Sequence, residues 1–170
     1  MPRCQRWGVH AGMSDGAVLN DTTIVSDTVE IDAPQDFVWS IVVDYPSYPE
    51  WNPYTFRVDT VLELGADVVL HLPDPAKPGE SFTTKEHMRV IEAPHHLQYD
   101  TGDSFPGMLA IRDQWVEDLG DGRCSYKTTD VFTGDLAKVV YEMQAQWVTA
   151  GFNATAYALK ARAEQLWAAR

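Results

Sequence analysis

The sequence predicts an α+β domain, and two patterns in it carry that reading. Residues 55–133 alternate apolar and polar side chains between turn signals, the mark of half-buried antiparallel strands. Asp135 to Ala169 then runs as one proline-free helical pattern, rich in Ala, Leu, Lys, Gln and Glu. At 170 residues the chain has the size of one domain rather than two. A first strand, two short helices, about six further strands and a long closing helix must bury a sheet face against a helix stripe.

The elements follow in order. Thr22 to Ile31 is rich in β-branched residues and reads as the first strand. Pro34 has a φ suited to a first helical turn, and Phe37, Val38, Ile41 and Val42 recur after it at helical spacing. Asp44-Tyr45-Pro46 stops that helix. Tyr45 to Tyr54 holds three prolines and four aromatics in ten residues. It is too proline-rich for a long helix and too aromatic for a solvent loop, so it reads as a helical turn or lid with packed rings. Phe56, Val58, Thr60 and Leu62 share one strand face, and further strands fall at 68–72, 81–91, 96–101, 108–117 and 123–133. A hairpin centred on Asp121-Gly122 pairs Trp115 with Tyr126 and Asp113 with Thr128.

In the closing helix, Phe152, Ala156, Leu159, Ala163 and Leu166 form one apolar stripe. Asp135 suits its N-terminus, and Lys160, Arg162 and Arg170 lie toward its C-terminus, where cations suit the dipole. Gly151 costs about 1 kcal/mol in mid-helix relative to alanine. It therefore implies room for a bulky neighbour, a sheet residue or a ligand.

Composition excludes several roles. Twenty-five Asp+Glu against 13 Lys+Arg give a formal charge of −12, which argues against nucleic acid or an anionic membrane as a partner. Six Trp, seven Tyr and six Phe are too much aromatic mass for an acidic disordered chain. Cys4 and Cys124 make no disulfide framework. No stretch approaches the roughly 18 apolar residues of a membrane span. Residues 1–20 lack periodicity and a signal-peptide apolar run, and read as a disordered extension before a domain at 21–170, with Met13 as an alternative start. The expectation is a cytoplasmic monomer or homodimer.

The motifs then resemble a known superfamily. The run from Val29 through Ala33-Pro34 to Trp39, then Asp44, then Tyr48-Pro-Glu-Trp-Asn-Pro53, looks like the opening of SRPBCC (START/birch-pollen-allergen-like) proteins, and within them of polyketide cyclase/dehydrase-type bacterial proteins. Ala93-Pro94-His95-His96-Leu97-Gln98-Tyr99, the Gly120-Asp121-Gly122-Arg123 hairpin, and Gly151-Phe152 followed by Leu159-Lys160 and Ala163-Glu164 are similar to the same pattern. The likeness runs from about residue 24 to 166. It implies a helix-grip fold: about seven curved antiparallel strands wrapped around a long C-terminal helix, with two short helices after strand 1. It also implies a hydrophobic cavity between sheet and helix, entered past the loops.

Chemistry is narrowed by elimination. His10, His71, His87, His95 and His96 form no HxxxD or HExxH pattern, and no metal or other cofactor is expected. No GxSxG, P-loop or GxGxxG occurs. Carboxylates remain: Glu86, Asp113 and Asp130 each share a strand face with apolar residues. If those faces point inward, the three are candidate catalytic acids, since an apolar pocket raises a carboxyl pKa. The opposite phase puts Arg112, Gln114 and Val116 inside, with Thr129 and Val131; both phases remain open. Candidate ligand contacts are Trp51, Tyr54, Tyr99, Arg112, Gln114, Trp115, Tyr126, Thr128, Trp147 and Gly151. Three functions follow. The chain binds a small hydrophobic, aromatic, polyketide- or lipid-like molecule with cofactor-free cyclase/dehydratase chemistry. Otherwise it is a non-catalytic carrier or sensor, or a co-chaperone-like interaction module.

Overall fold

The computed structural model describes residues 18–170. Eight antiparallel strands form one sheet: β1 (Thr23–Val25), β2 (Val29–Ile31), β3 (Arg57–Asp59), β4 (Asp67–Pro73), β5 (Ser81–Glu92), β6 (His96–Asp100), β7 (Leu109–Gly120) and β8 (Arg123–Thr133). The order is β1-β8-β7-β6-β5-β4-β3, with β2 also on β8. Helices α1 (Gln35–Val42) and α2 (Tyr48–Trp51) flank a 3-10 turn at Tyr45–Ser47, and α3 (Ala137–Ala168) closes the fold. This is the helix-grip architecture. It has eight strands rather than about seven, because Thr22–Ile31 breaks at Ser26, whose hydroxyl accepts from the Thr128 amide at 3.0 Å. Residues 1–17 of the expected extension lie outside the described residues. Asn20 is tied to the sheet edge, donating from Nδ2 to the Phe132 carbonyl at 3.1 Å.

The α3 stripe is Val148, Phe152, Thr155, Ala156, Leu159 and Ala163, all buried against the sheet and α1. Leu166 leaves the stripe and is exposed. The helix begins at Ala137, with Leu136 rather than Asp135 in the capping position and no side-chain cap. Its start is held instead by the Leu136 amide donating to the Gly107 carbonyl at 3.0 Å. The expected dipole cations do other work. Lys160 donates to the Glu30 carbonyl, Arg162 pairs with Glu50 at 2.6 Å, and Arg170 lies over the Phe37 ring. Residues 56–62 also differ from expectation. Only Arg57–Asp59 is strand, and Val61 and Leu62 are exposed.

The β7–β8 register decides which side chains face the helix. Asp121 (φ 54°) and Gly122 (φ 72°) form the expected two-residue turn, with both φ values positive. The strands pair Trp115 with Lys127 and Val116 with Tyr126, one residue off the register expected for Trp115. A two-residue turn without a bulge would pair Trp115 with Thr128; Leu119, left over in the irregularity between Asp118 and Gly120, moves the partner to Lys127. A one-residue slip turns a strand over. On the concave face, β7 therefore contributes Arg112, Gln114 and Val116, while β8 contributes Tyr126, Thr128 and Asp130.

Gly151 makes room for Tyr54, because a methyl group at that position would overlap the tyrosine ring. The ring is fixed from three sides. It meets Trp147 edge-on at 5.1 Å and Phe152 at 5.9 Å, while Asn52 Oδ1 accepts from the Tyr54 and Thr55 amides and from the Thr155 hydroxyl on α3. Alanine at 151 gains up to about 1 kcal/mol of helix propensity. Overpacking costs about 1–3 kcal/mol, so Gly151→Ala is expected to destabilise the protein in urea unfolding. In a Tyr54→Ala background the same change should stabilise it, which a double-mutant cycle reads directly.

Candidate functional site

A cavity of about 410 Å³ lies between the concave sheet face and the first half of α3. Its walls are mostly apolar: Leu70 and Leu72 from β4, Phe82 from β5, Met108 and Ala110 at β7, Phe132 on β8, and Val140, Trp147, Val148 and Phe152 on α3. Its mouth is marked by the exposed lining residues Thr83, Lys85, Ser104, Phe105 and Gln144. The polar groups of its inner end are Glu86, Arg112 and Asp130, from three different strands.

The register sets their geometry. Arg112 stands directly opposite Asp130 on β8 and opposite Tyr99 on β6, so the three share one transverse row. Paired Cβ atoms lie roughly 4.5–5.5 Å apart across antiparallel strands. Arg112 is 5% exposed. Its Nε donates to Thr128 Oγ1 at 3.2 Å, and its guanidinium carbon lies 4.4 Å from the Phe152 ring centroid and 5.6 Å from that of Tyr99. Beneath it, the Tyr126 hydroxyl donates to Gln114 Oε1 at 2.8 Å, and Gln114 Nε2 donates to the Tyr99 hydroxyl at 3.4 Å. Burial works against the Arg112 charge, but the Tyr99, Tyr126 and Tyr54 hydroxyls and Asp130 outweigh it and hold the group above the ordinary arginine range.

The two acids behave oppositely to surface carboxylates. Burial pushes Glu86 up to about 8; Asp130 adds to the rise and Arg112 opposes it. Burial raises Asp130 to about 7 against the pull of Arg112, with Asp113 adding to the rise. Asp130 Oδ1 is sealed from solvent and has no hydrogen-bond partner among the described residues. Among the described residues, Glu86 Oε1 accepts only a long 3.5 Å bond from Thr84.

Of the residues expected at the site, Tyr54, Glu86, Arg112, Asp130 and Trp147 line the cavity. Tyr99, Gln114, Tyr126 and Thr128 form the hydrogen-bonded layer behind Arg112 and do not reach the cavity wall. Gly151 serves Tyr54 rather than a ligand. Asp113 is turned to the opposite sheet face, where it accepts from Gln98 at 2.7 Å and bonds His96 Nε2 at 2.6 Å. Trp115 lies on that face too, stacked on His96 at 3.6 Å. Thr129 and Val131, paired with Asp113 and Ile111, also point away from the helix. Trp51 packs edge-on against Tyr48 at 4.9 Å and stays outside the cavity. The chemistry is therefore a mixture of the two phases: one acid of the three leaves, and Arg112 joins the other two.

Phe82, Phe105 and Phe132 line the cavity without having been singled out. Phe82 and Phe132 share strand faces with Glu86 and Asp130, which was a usable signal. Phe105 carries the same signal as the Tyr45–Tyr54 segment, an aromatic set in a Gly/Pro-rich turn. Among the described residues, no group of three or more His, Cys, Asp or Glu could hold a metal ion, and no helix is long and apolar enough to cross a membrane.

The model of the family described as polyketide cyclase / dehydrase and lipid transport matches residues 22–164. The chain belongs to that family. Its fold is similar to the ZhuI aromatase/cyclase from Streptomyces sp. R1128, with a TM-score of 0.68 and 23% identity over 84% of this chain and 93% of that one. A START superfamily protein from Mycobacterium smegmatis aligns with a TM-score of 0.62 and 18% identity over 85% and 98%. The di-domain aromatase/cyclase StfQ of the steffimycin biosynthetic pathway aligns with 0.64 and 11% over 85% and 51%. These identities speak to the fold. No curated protein matches the chain by sequence.

The raised carboxyls make stability depend on pH in a stated direction. A carboxyl whose folded value is raised contributes stability that is fully present below its unfolded value, about 4. That stability is lost as pH climbs to about 8 for Glu86 and about 7 for Asp130. Glu86→Gln removes the larger of these losses. The melting temperature of the unaltered protein is expected to fall relative to Glu86→Gln by several degrees between pH 5 and 8, at roughly 2–4 °C per kcal/mol for a domain of this size. A constant difference across that range would mean that Glu86 is solvated.

Proposed function

We propose that the protein binds a small hydrophobic molecule, aromatic, polyketide- or lipid-like, in this cavity and moves protons on it without a metal or organic cofactor. The observation that carries the reading is two buried, protonatable carboxyls beside one guanidinium in an otherwise apolar chamber. The family and the aromatase/cyclase neighbours support it.

Cyclase, dehydratase and isomerase chemistry at a carbon next to a carbonyl needs a base for the carbon proton and an acid for the oxygen. General catalysts work best with a pKa near the working pH. Asp130, near 7, suits the base, and Glu86, near 8, suits the acid. Arg112 would stabilise negative charge developing on the carbonyl oxygen, in surroundings where water does not screen it. A cavity of about 410 Å³ falls within the size range of small-molecule sites. That favours the ligand-binding readings over an interaction module.

Deuterium wash-in tests the chemistry. The methyl protons of 2-acetonaphthone, incubated with the protein in D2O, are expected to exchange faster than in buffer. Glu86→Gln and Asp130→Asn should each slow the enzyme-dependent rate by roughly 10²–10⁴, with the probe's affinity, read by tryptophan quenching, nearly unchanged. Binding with no exchange in the unaltered protein leaves a carrier, and undiminished exchange in both amide variants removes the acid–base mechanism.

A further inference from the structure

We propose that the inner end of the cavity is a carboxylate-binding site, and that the molecule it takes is a hydrophobic monocarboxylate seated acid end first on Arg112. This rests on the reading that the cavity holds a small hydrophobic molecule and is independent of the acid–base chemistry.

The guanidinium is only partly used by the protein. Its Nε donates to Thr128 and the Tyr126 hydroxyl is a further hydrogen-bonding neighbour, but both are neutral, and no carboxylate among the described residues pairs with the Nη groups. Those two donors form a planar fork that matches a carboxylate, and paired Arg–carboxylate bonds are among the stronger hydrogen bonds proteins make. The cation is nevertheless desolvated, which is costly without an anionic partner. The nearest candidate, Asp130, stands directly opposite on β8 but makes no salt bridge to it, and its Oδ1 is buried with no hydrogen-bond partner among the described residues. An anionic acceptor is thus missing at the guanidinium, and a partner is missing at Asp130. A ligand carboxylate supplies both, accepting from the guanidinium and from a protonated Asp130.

The rest of the cavity fits an apolar body behind that head. Phe132, Val148 and Phe152 surround the inner end, and the lining between it and the mouth residue Phe105 carries no second cation. Lys85, the other lining cation, is exposed at the entrance. The titratable groups facing Arg112 are Glu86 from β5, Tyr99 from β6, Tyr126 and Asp130 from β8, Tyr54 from the loop after α2, and Tyr45 and Tyr48 from the 3-10 turn and α2, both also raised by burial; α3 contributes none there. Asp100 and Asp113 act from farther off. The tyrosines are all held above their ordinary range by burial and stay neutral. Below pH 7 the cluster therefore carries the Arg112 charge with little to cancel it. Above pH 8 two carboxylates outnumber it, and an anion is expelled.

A matched pair of probes decides the matter: 2-naphthoate, ionised throughout, and 2-acetonaphthone, which has the same ring system and no charge. Both are titrated against the full chain by tryptophan quenching and calorimetry from pH 6 to 9. At pH 6 the naphthoate should bind roughly tenfold or more tighter, the advantage expected of charge-assisted hydrogen bonds. That advantage should shrink toward pH 9 while the ketone's affinity stays level. Asp130→Asn should flatten the part of the decline near pH 7, and Arg112→Met should abolish the preference while the ketone still binds. If Arg112→Met does not fold, the pH series on the unaltered protein decides alone. A ketone that binds as tightly as the naphthoate at pH 6 overturns the carboxylate site and leaves the hydrophobic-ligand reading standing. Failure of both probes to bind overturns the two together.

Discussion

The structure is organised around the cost of one desolvated guanidinium. Arg112 sits where the concave sheet meets α3, nearly out of solvent. A charge in that position must be compensated locally or the fold loses several kcal/mol. Compensation comes from the Thr128 hydroxyl, from the face of Phe152 on the helix, and from a ring of tyrosine oxygens. The helix must therefore cross the sheet with Phe152 over Arg112. That crossing puts Gly151 against Tyr54, and only a glycine admits the ring at that distance. Asn52 then has to hold Tyr54 from below through two backbone amides and Thr155. The proline-rich segment, the helix notch and the sheet row are consequences of one packing problem.

Why Arg112 faces inward at all comes down to Leu119. The hairpin turn at Asp121-Gly122 is ordinary, and the strands beyond it alternate as they should. One additional residue between turn and strand rotates the β7 set by one position relative to a hairpin with no bulge. Without it, Asp113 would face the helix and Arg112 the outside. A chamber with three acids and no cation at its inner end would then result. The outer face would lose the Asp113–His96 pair and the stacking of Trp115 on that histidine, which fill the opposite side of the sheet. The bulge thus assigns chemistry to both faces at once.

This explains what could be read from the residues and what could not. The long helix, the order of the strands and the turn positions were legible because each depends on local pattern: proline-free runs, alternation, Asp-Gly. The Gly151 notch was legible as a need for space, though nothing local named Tyr54 as its occupant. Glu86 and Asp130 were legible as acids in apolar company. In the sequence the side taken by Asp113 stays open between two phases, since face assignment on β7 hangs on a bulge whose residue, Leu119, has no distinguishing chemistry. Trp51 and Trp115 illustrate the other limit. Their size signals burial, but burial beside Tyr48 or His96 satisfies it as well as a cavity does. Asn52 escaped notice because its value lies in a contact to Thr155, more than a hundred residues away.

The chain's overall charge of −12 says little about this chamber, for a reason visible in its own carboxyls. Asp59 and Asp67 are exposed, and hydrogen bonds from Arg57 and Lys85 hold them below their ordinary range, so they stay ionised. Their field is screened within roughly 8 Å at physiological salt. Glu86 and Asp130 are the same functional groups without the water, and burial drives them toward the neutral form. An acidic protein can therefore contain a pocket that is electropositive below about pH 7: its surface acids are ionised but screened, and its inner acids are unscreened but protonated there. The sign of the pocket is set by the one group that cannot give up its charge, and that group is Arg112.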